Sequence, residues 1–130
     1  DVLEQLDITR RTVLAGEFDV QTLWSLAERR VRYEPLPKYP AVLRDLAVVA
    51  AEDVPYQTVE RTVKEAGGVL LESVRLFDVY RGERIPQGTR SLALSLTFRS
   101  PERTLTDEEV DEIVARIVRA LEEIGARLRT

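Results

Sequence analysis

Asp78 and Tyr80 stand two residues apart in Val74-Arg75-Leu76-Phe77-Asp78-Val79-Tyr80, Ser91 opens the run Ser91-Leu92-Ala93-Leu94-Ser95-Leu96-Thr97-Phe98, and Arg129 lies near the end of the chain. Successive side chains of a strand point to opposite faces. If Phe77 and Val79 turn inward with Leu94 and Leu96, then Asp78 and Tyr80 turn outward with Ser91 and Arg129. An aromatic ring, a carboxylate, a hydroxyl and a guanidinium on one open sheet are the groups that hold an unstacked nucleobase. Tyr80 can stack on the base for about 1 to 3 kcal/mol. Asp78 accepts from ring N–H or exocyclic amino groups, Ser91 donates or accepts, and Arg129 pairs with a phosphate or a base edge. Each has a blander reading. Tyr80 can be an ordinary strand aromatic, and Asp78 with Arg129 can form a cross-strand ion pair of little energetic weight.

The elements that must position these residues begin after Pro35, Pro37 and Pro40, which forbid regular helix or central strand and mark a boundary. Arg44 to Ala50 reads as a first strand. Asp53 before Pro55 reads as a helix cap, with Val59, Val63 and Ala66 as the buried side, and Gly67-Gly68 as the stop. Val69 to Arg81 is a long second strand with a bulge, and Ser91 to Ser100 a third. In that third strand Leu92, Leu94, Leu96 and Phe98 share one face, while Ser91, Ala93, Ser95, Thr97 and Arg99 share the other. Thr106 with Glu109 forms a capping box, and Val110, Ile113, Val114, Ile117, Leu121 and Ile124 recur at the helical period until Gly125. A short last strand, Ala126 to Thr130, turns Leu128 inward and Arg127 and Arg129 outward. The order β-α-β-β-α-β is the split ferredoxin-like arrangement of the α+β class. Its four-stranded antiparallel sheet carries both helices on one face, with the first and third strands central.

Upstream, Thr12 to Val20 reads as a strand and Asp19 as the cap of a helix over Val20 to Arg30, with Leu23, Trp24 and Ala27 on one side. Residues 1–36 are too few for an independent core and read as the tail of a preceding domain plus a Pro-rich linker. Residues 37–130 form the main domain. The chain begins at Asp1 and contains no Met, so it reads as a fragment of a longer polypeptide.

Composition narrows the chemistry. Without Cys or His there is no disulfide, thiolate nucleophile, Ser-His dyad or ordinary zinc site, which excludes most side-chain catalysis, and no metal ligand is expected. Lys38 and Lys64 are the only lysines, and Asn is absent too, a usage met in heat-adapted proteins and in GC-rich genomes. The lack of Asn also removes an acylphosphatase-like phosphate site. No apolar run reaches the length of a bilayer crossing and no signal peptide opens the chain, which places the protein in the cytoplasm. The formal charge of −4 is a mild argument against nucleic-acid binding. Asp107, Glu108, Glu109, Asp111 and Glu112 account for it, crowded at a helix start where the macrodipole favours them. They read as a solvated helix start, since their spacing lacks the alternation and glycine of a calcium loop.

The runs quoted above, with Lys38-Tyr39-Pro40, Arg44-Asp45-Leu46-Ala47 and Thr104-Leu105-Thr106-Asp107-Glu108-Glu109-Val110, resemble the carboxyl-terminal anticodon-binding domain of the bacterial phenylalanyl-tRNA synthetase β chain, from about Tyr33 to Thr130. The resemblance implies that Asp78, Tyr80, Ser91 and Arg129 bind RNA, and that residues 1–36 end a synthetase-like core module. It implies a tRNA with a phenylalanine anticodon as partner. It further implies a catalytic α subunit in an α2β2 assembly, joining phenylalanine to the tRNA with ATP and magnesium that this fragment itself does not hold. The hairpin Gly82 to Arg90 departs from relatives, which commonly have a second glycine near Arg84 and lysines near Thr89 and Arg90. Arg81, Arg84, Arg90 and Arg127 are expected phosphate contacts. The competing reading is a ferredoxin-like structural or small-ligand regulatory module without RNA binding, although Ala51-Glu52-Asp53-Val54-Pro55 lacks the glycine such a ligand loop needs.

Overall fold

The computed structural model describes Gln5, residues 13–27 and residues 36–129. The chain divides into two units, Asp1–Pro35 and Leu36–Thr130. In the first, the described residues form one short helix, α1 (Val20–Leu26), whose N-cap Asp19 accepts from the Thr22 N–H at 2.6 Å. Residues 13–19 have no regular structure, so the expected strand does not form over them, while Thr12 and the helix end expected at Arg30 lie outside the described residues. Leu23 and Trp24 are 51% and 66% exposed within this unit.

The second unit runs β1 (Val42–Ala51), α2 (Tyr56–Gly67), a 3-10 turn (Gly68–Leu70), β2 (Leu71–Tyr80), β3 (Thr89–Phe98), α3 (Asp107–Glu123) and β4 (Arg127–Leu128). Sheet order is β2-β3-β1-β4 with all pairs antiparallel, so the first and third strands are central as expected. Directly opposed residues share a face. Val48 opposes Leu92, and Leu46 opposes Leu94, on the side that packs against Val59 and Val63 of α2 and Val110, Ile113, Ile117 and Leu121 of α3. Phe98, Leu94 and Leu96 are wholly buried there. Arg116 Nε donates to the Ala66 carbonyl at 2.7 Å, tying the two helices together where α2 ends. Gly68 follows α2 at φ 67°, a left-handed conformation that glycine adopts without steric cost.

One local expectation changes. Asp53 does not cap α2: Pro55 is the N-cap, and its carbonyl accepts from the Thr58 N–H at 3.0 Å. A turn closed by Val54 N–H on the Ala51 carbonyl carries the chain past Asp53 before the helix starts. The acidic start of α3 is solvated as expected, with the Asp107 and Asp111 side chains exposed while they accept from Arg44 at 2.7 Å and 3.2 Å. No helix among the described residues is long and apolar enough to cross a membrane.

The capping box is formed, with Thr106 Oγ1 accepting from the Glu109 N–H at 3.3 Å and Glu109 Oε2 accepting from the Thr106 N–H at 3.0 Å. The Arg103 guanidinium first, and then the Thr106 N–H, hold the Glu109 carboxyl at about 2 against an ordinary 4.5. A carboxyl depressed in the folded state contributes stability that is complete above its unfolded pKa and lost as pH falls through the folded one. Glu109→Gln is therefore expected to lower the thermal midpoint near pH 7, with the gap to the parent closing between pH 4.5 and about 2. Melting curves across that range check it, and a gap independent of pH would refute it.

Candidate nucleic-acid interface

The face of the sheet opposite the helices is organised in rows that follow from register. Asp78 opposes Ala93, Ala93 opposes Ala47, and the Arg129 N–H donates to the Ala47 carbonyl at 2.8 Å. One row along, Tyr80 opposes Ser91, Ser91 opposes Val49, and Val49 opposes Arg127. The four residues singled out from alternation thus occupy two adjacent rows, with small side chains between them. Arg129 spans that low floor, and its guanidinium carbon sits 5.1 Å from the centroid of the Tyr80 ring, within cation–π range. The cross-strand ion pair that was the blander reading of Asp78 and Arg129 is not formed, and among the described residues Asp78 has no salt-bridge partner.

Two placements differ from expectation. Ser91 faces the open side by register but is only 3% exposed. Tyr80, directly opposite Ser91, and the Arg129 guanidinium on the Tyr80 ring lie on that same side. Phe77 does not go inward with Leu94. Leu76 opposes Leu94 and Asp78 opposes Ala93, so Phe77 is the extra residue of a bulge and is 51% exposed. A bulge resets alternation by one residue. Asp78 and Tyr80 therefore remain on the open side even though Phe77 beside them is not buried, and Val79 opposes Leu92 on the helix side at 37% exposure.

The four arginines expected at phosphates separate into two pairs. Arg81 Nε donates to Glu52 at 2.8 Å, and Arg90, whose side chain is only 17% exposed, donates to the Val54 carbonyl at 2.7 Å and lies 4.0 Å from Glu52. These two knot the hairpin to the end of β1, and the hydrogen bond from Arg81 holds the Glu52 carboxyl below its usual range. Arg81 and Arg90 are consequently not the free cations expected of them. Arg84 and Arg127 are exposed and have no carboxylate partner among the described residues.

Sequence reasoning missed Gly82. A Cβ there would lie 2.4 Å from the Tyr80 hydroxyl and 2.7 Å from its Cζ, so only glycine lets the phenol rest where it does. The signal was the Tyr-Arg-Gly run, in which the glycine follows the aromatic by two and falls on the same side. We expect Gly82→Ala to swing the ring off Arg129, abolishing the ring-current upfield shift of the Arg129 side-chain protons in NMR spectra. Unchanged shifts would show that the ring tolerates the methyl.

Two helices on one face of a four-stranded antiparallel β2-β3-β1-β4 sheet are the ferredoxin-like arrangement, here with an aromatic and a guanidinium on the open face. The model of the ferredoxin-fold anticodon binding domain matches residues 37–129, and the chain belongs to that family. It is 50% identical over 130 residues to the phenylalanine–tRNA ligase beta subunit of Moorella thermoacetica, covering 99% of this chain and 16% of that protein. The protein of the same name from Clostridium tetani is 44% identical over the same shares. That from Symbiobacterium thermophilum is 52% identical over 98 residues, 75% of this chain and 11% of the relative. The chain spans about one sixth of the length of the first two relatives, 16% of each.

Proposed function

We propose that the open face grips an unstacked base of a tRNA anticodon loop carrying the phenylalanine anticodon. The observation that carries this reading is the pair of adjacent rows in which Tyr80, Asp78, Ser91 and Arg129 converge over a floor of small side chains. Tyr80 stacks on the base once the guanidinium moves aside, Asp78 accepts from the base edge, and Arg129 turns to a phosphate or base edge. Ser91, directly opposite Tyr80 on β3, offers its hydroxyl beside them. Residues 1–36 are the end of a preceding synthetase-like module, and the whole protein is the β subunit of a cytoplasmic phenylalanine–tRNA ligase. This domain then holds the tRNA at a distance while a catalytic α subunit of an α2β2 assembly forms the aminoacyl ester. ATP and magnesium supply the activation chemistry there. Among the described residues no group of three or more His, Cys, Asp or Glu is placed to hold a metal, so no residue of this domain is assigned to them.

A fluorescence titration at fixed salt tests the reading, with tRNA bearing the phenylalanine anticodon compared with the same tRNA bearing an unrelated one. The first is expected to bind more tightly, and more weakly as salt rises, in proportion to the phosphates neutralised. Equal affinity for both would remove the assignment.

A further inference from the structure

The sheet ends on one side in β4, two residues long, and on the other in β2, ten residues long and paired among the described residues with β3 alone. A long apolar edge invites pairing with another chain, and β2 carries Leu71, Val74, Leu76, Phe77 and Val79. The Arg99 N–H donates to the Leu70 carbonyl at 2.9 Å. Alternation from that bond turns the backbone groups of Thr97, Ser95, Ala93 and Ser91 toward β2, and those of their partners Ser73, Arg75, Asp78 and Tyr80 back toward β3. Val74, Leu76 and Val79 therefore present their N–H and C=O groups to the outer edge. They would be evenly spaced but for Phe77, the extra residue that β3 does not match.

Without Phe77 the strand reads Ser73-Val74-Arg75-Leu76-Asp78-Val79-Tyr80, with Leu76 still opposite Leu94 and Asp78 still opposite Ala93. That regular strand is self-complementary about Leu76. Laid antiparallel to a second copy, Leu76 meets its own counterpart, Val74 meets Val79, and Arg75 meets Asp78 on the open side. Among the described residues neither Arg75 nor Asp78 has an ion-pair partner within the chain. With Phe77 in place the same pairing sets Arg75 against Phe77 and Val74 against Asp78, and the bulge adds local twist. We propose that the Phe77 bulge guards the β2 edge, keeping this strand from pairing with a second copy of the chain in the Arg75–Asp78 register. The pairing it prevents would end at the other bulge, Glu72, whose carboxylate Arg99 Nε holds at 3.0 Å. A guarded edge also leaves Asp78 free for a base, though the guard itself rests on register and not on that reading.

Amide exchange at Val74, Leu76 and Val79, read beside sedimentation velocity over a concentration series, tests this in the 130-residue chain. In the parent, and in Phe77→Ala, which keeps the extra residue and loses only the ring, those three rates are expected not to change with concentration. Deletion of Phe77 is expected to give a dimer in which all three slow as concentration rises. The deletion removes a half-exposed ring, so stickiness alone predicts the reverse. Adding Arg75→Glu is expected to weaken that dimer at least ~tenfold, because two attractive cross-strand pairs become repulsive. Concentration-dependent protection of the edge amides in the parent or in Phe77→Ala would overturn the proposal. So would a deletion variant whose edge amides stay fast while Leu94 remains protected, or a dimer indifferent to Arg75→Glu. Loss of Leu94 protection on deletion would overturn it as well, since Phe77 would then serve the fold and not the edge.

Discussion

Ile117→Ala is expected to destabilise the second unit by about 2 to 5 kcal/mol, the range for truncating a large aliphatic side chain in a core. Ile117 is 0% exposed on α3 and belongs to the cluster of Val59, Val63, Leu94 and Leu96 that joins both helices to the sheet. Loss of three carbons there leaves a cavity walled by two strands and a second helix, none of which can collapse without disturbing the others. The thermal midpoint of a unit this size moves by about 4 to 8 °C per kcal/mol, so the fall is large enough to read directly from a melting curve. Glu112→Ala, exposed on the same helix, is the control, with an expected change within ~0.5 kcal/mol. A fall of less than ~0.5 kcal/mol for Ile117→Ala would contradict the packing of α3 on the sheet.

Tyr80→Ala carries the largest expected effect on binding. Removing an aromatic that stacks on a base costs about 1 to 3 kcal/mol, a loss of about fivefold to 150-fold in affinity. The resting contact moderates this. A base must displace the Arg129 guanidinium, a cation–π contact worth about 0.5 to 1 kcal/mol where solvent reaches it, so the net loss belongs in the lower half of the range. Tyr80 packs outside the buried cluster, and its removal should leave the thermal midpoint nearly unchanged. The measurement is the tRNA titration with the variant beside the parent. Affinity within twofold of the parent, with folding intact, would mean that the ring is a strand side chain and nothing more.

The order of elements was legible because its signals are local. The alternation of Leu92, Leu94, Leu96 and Phe98 needs only neighbours two apart, and the Thr106–Glu109 box only a single helical turn. All four strands followed from such patterns, and so did the placing of Asp78, Tyr80, Ser91 and Arg129 on one face, while the rows they occupy came from the register. What could not be read was decided by partners far away in sequence. The bulge at Phe77 exists because β2 is paired against β3, and strict alternation within β2 alone sends the ring the wrong way. Ser91 is buried although alternation puts it on the open side, directly opposite Tyr80, whose ring meets Arg129, a residue 38 positions later. Arg90 turns inward because Val54 and Glu52, at the other end of a central strand, present a carbonyl and a carboxylate to it. Asp53 failed as a cap for a nearer reason: the turn at Ala51–Val54 left Pro55 at the helix start.

The guanidinium lying on the Tyr80 ring also bears on the free protein's behaviour in solution. A bare phenol on an open sheet, with Phe77 half exposed close by, offers other copies an oily landing place. Seating a hydrated cation on the π face keeps that spot wet while nothing is bound. On the reading proposed above, solubility and recognition draw on one side chain, and an Arg129 substitution that spares the fold should show itself in storage, as clumping, as well as in any assay of RNA capture.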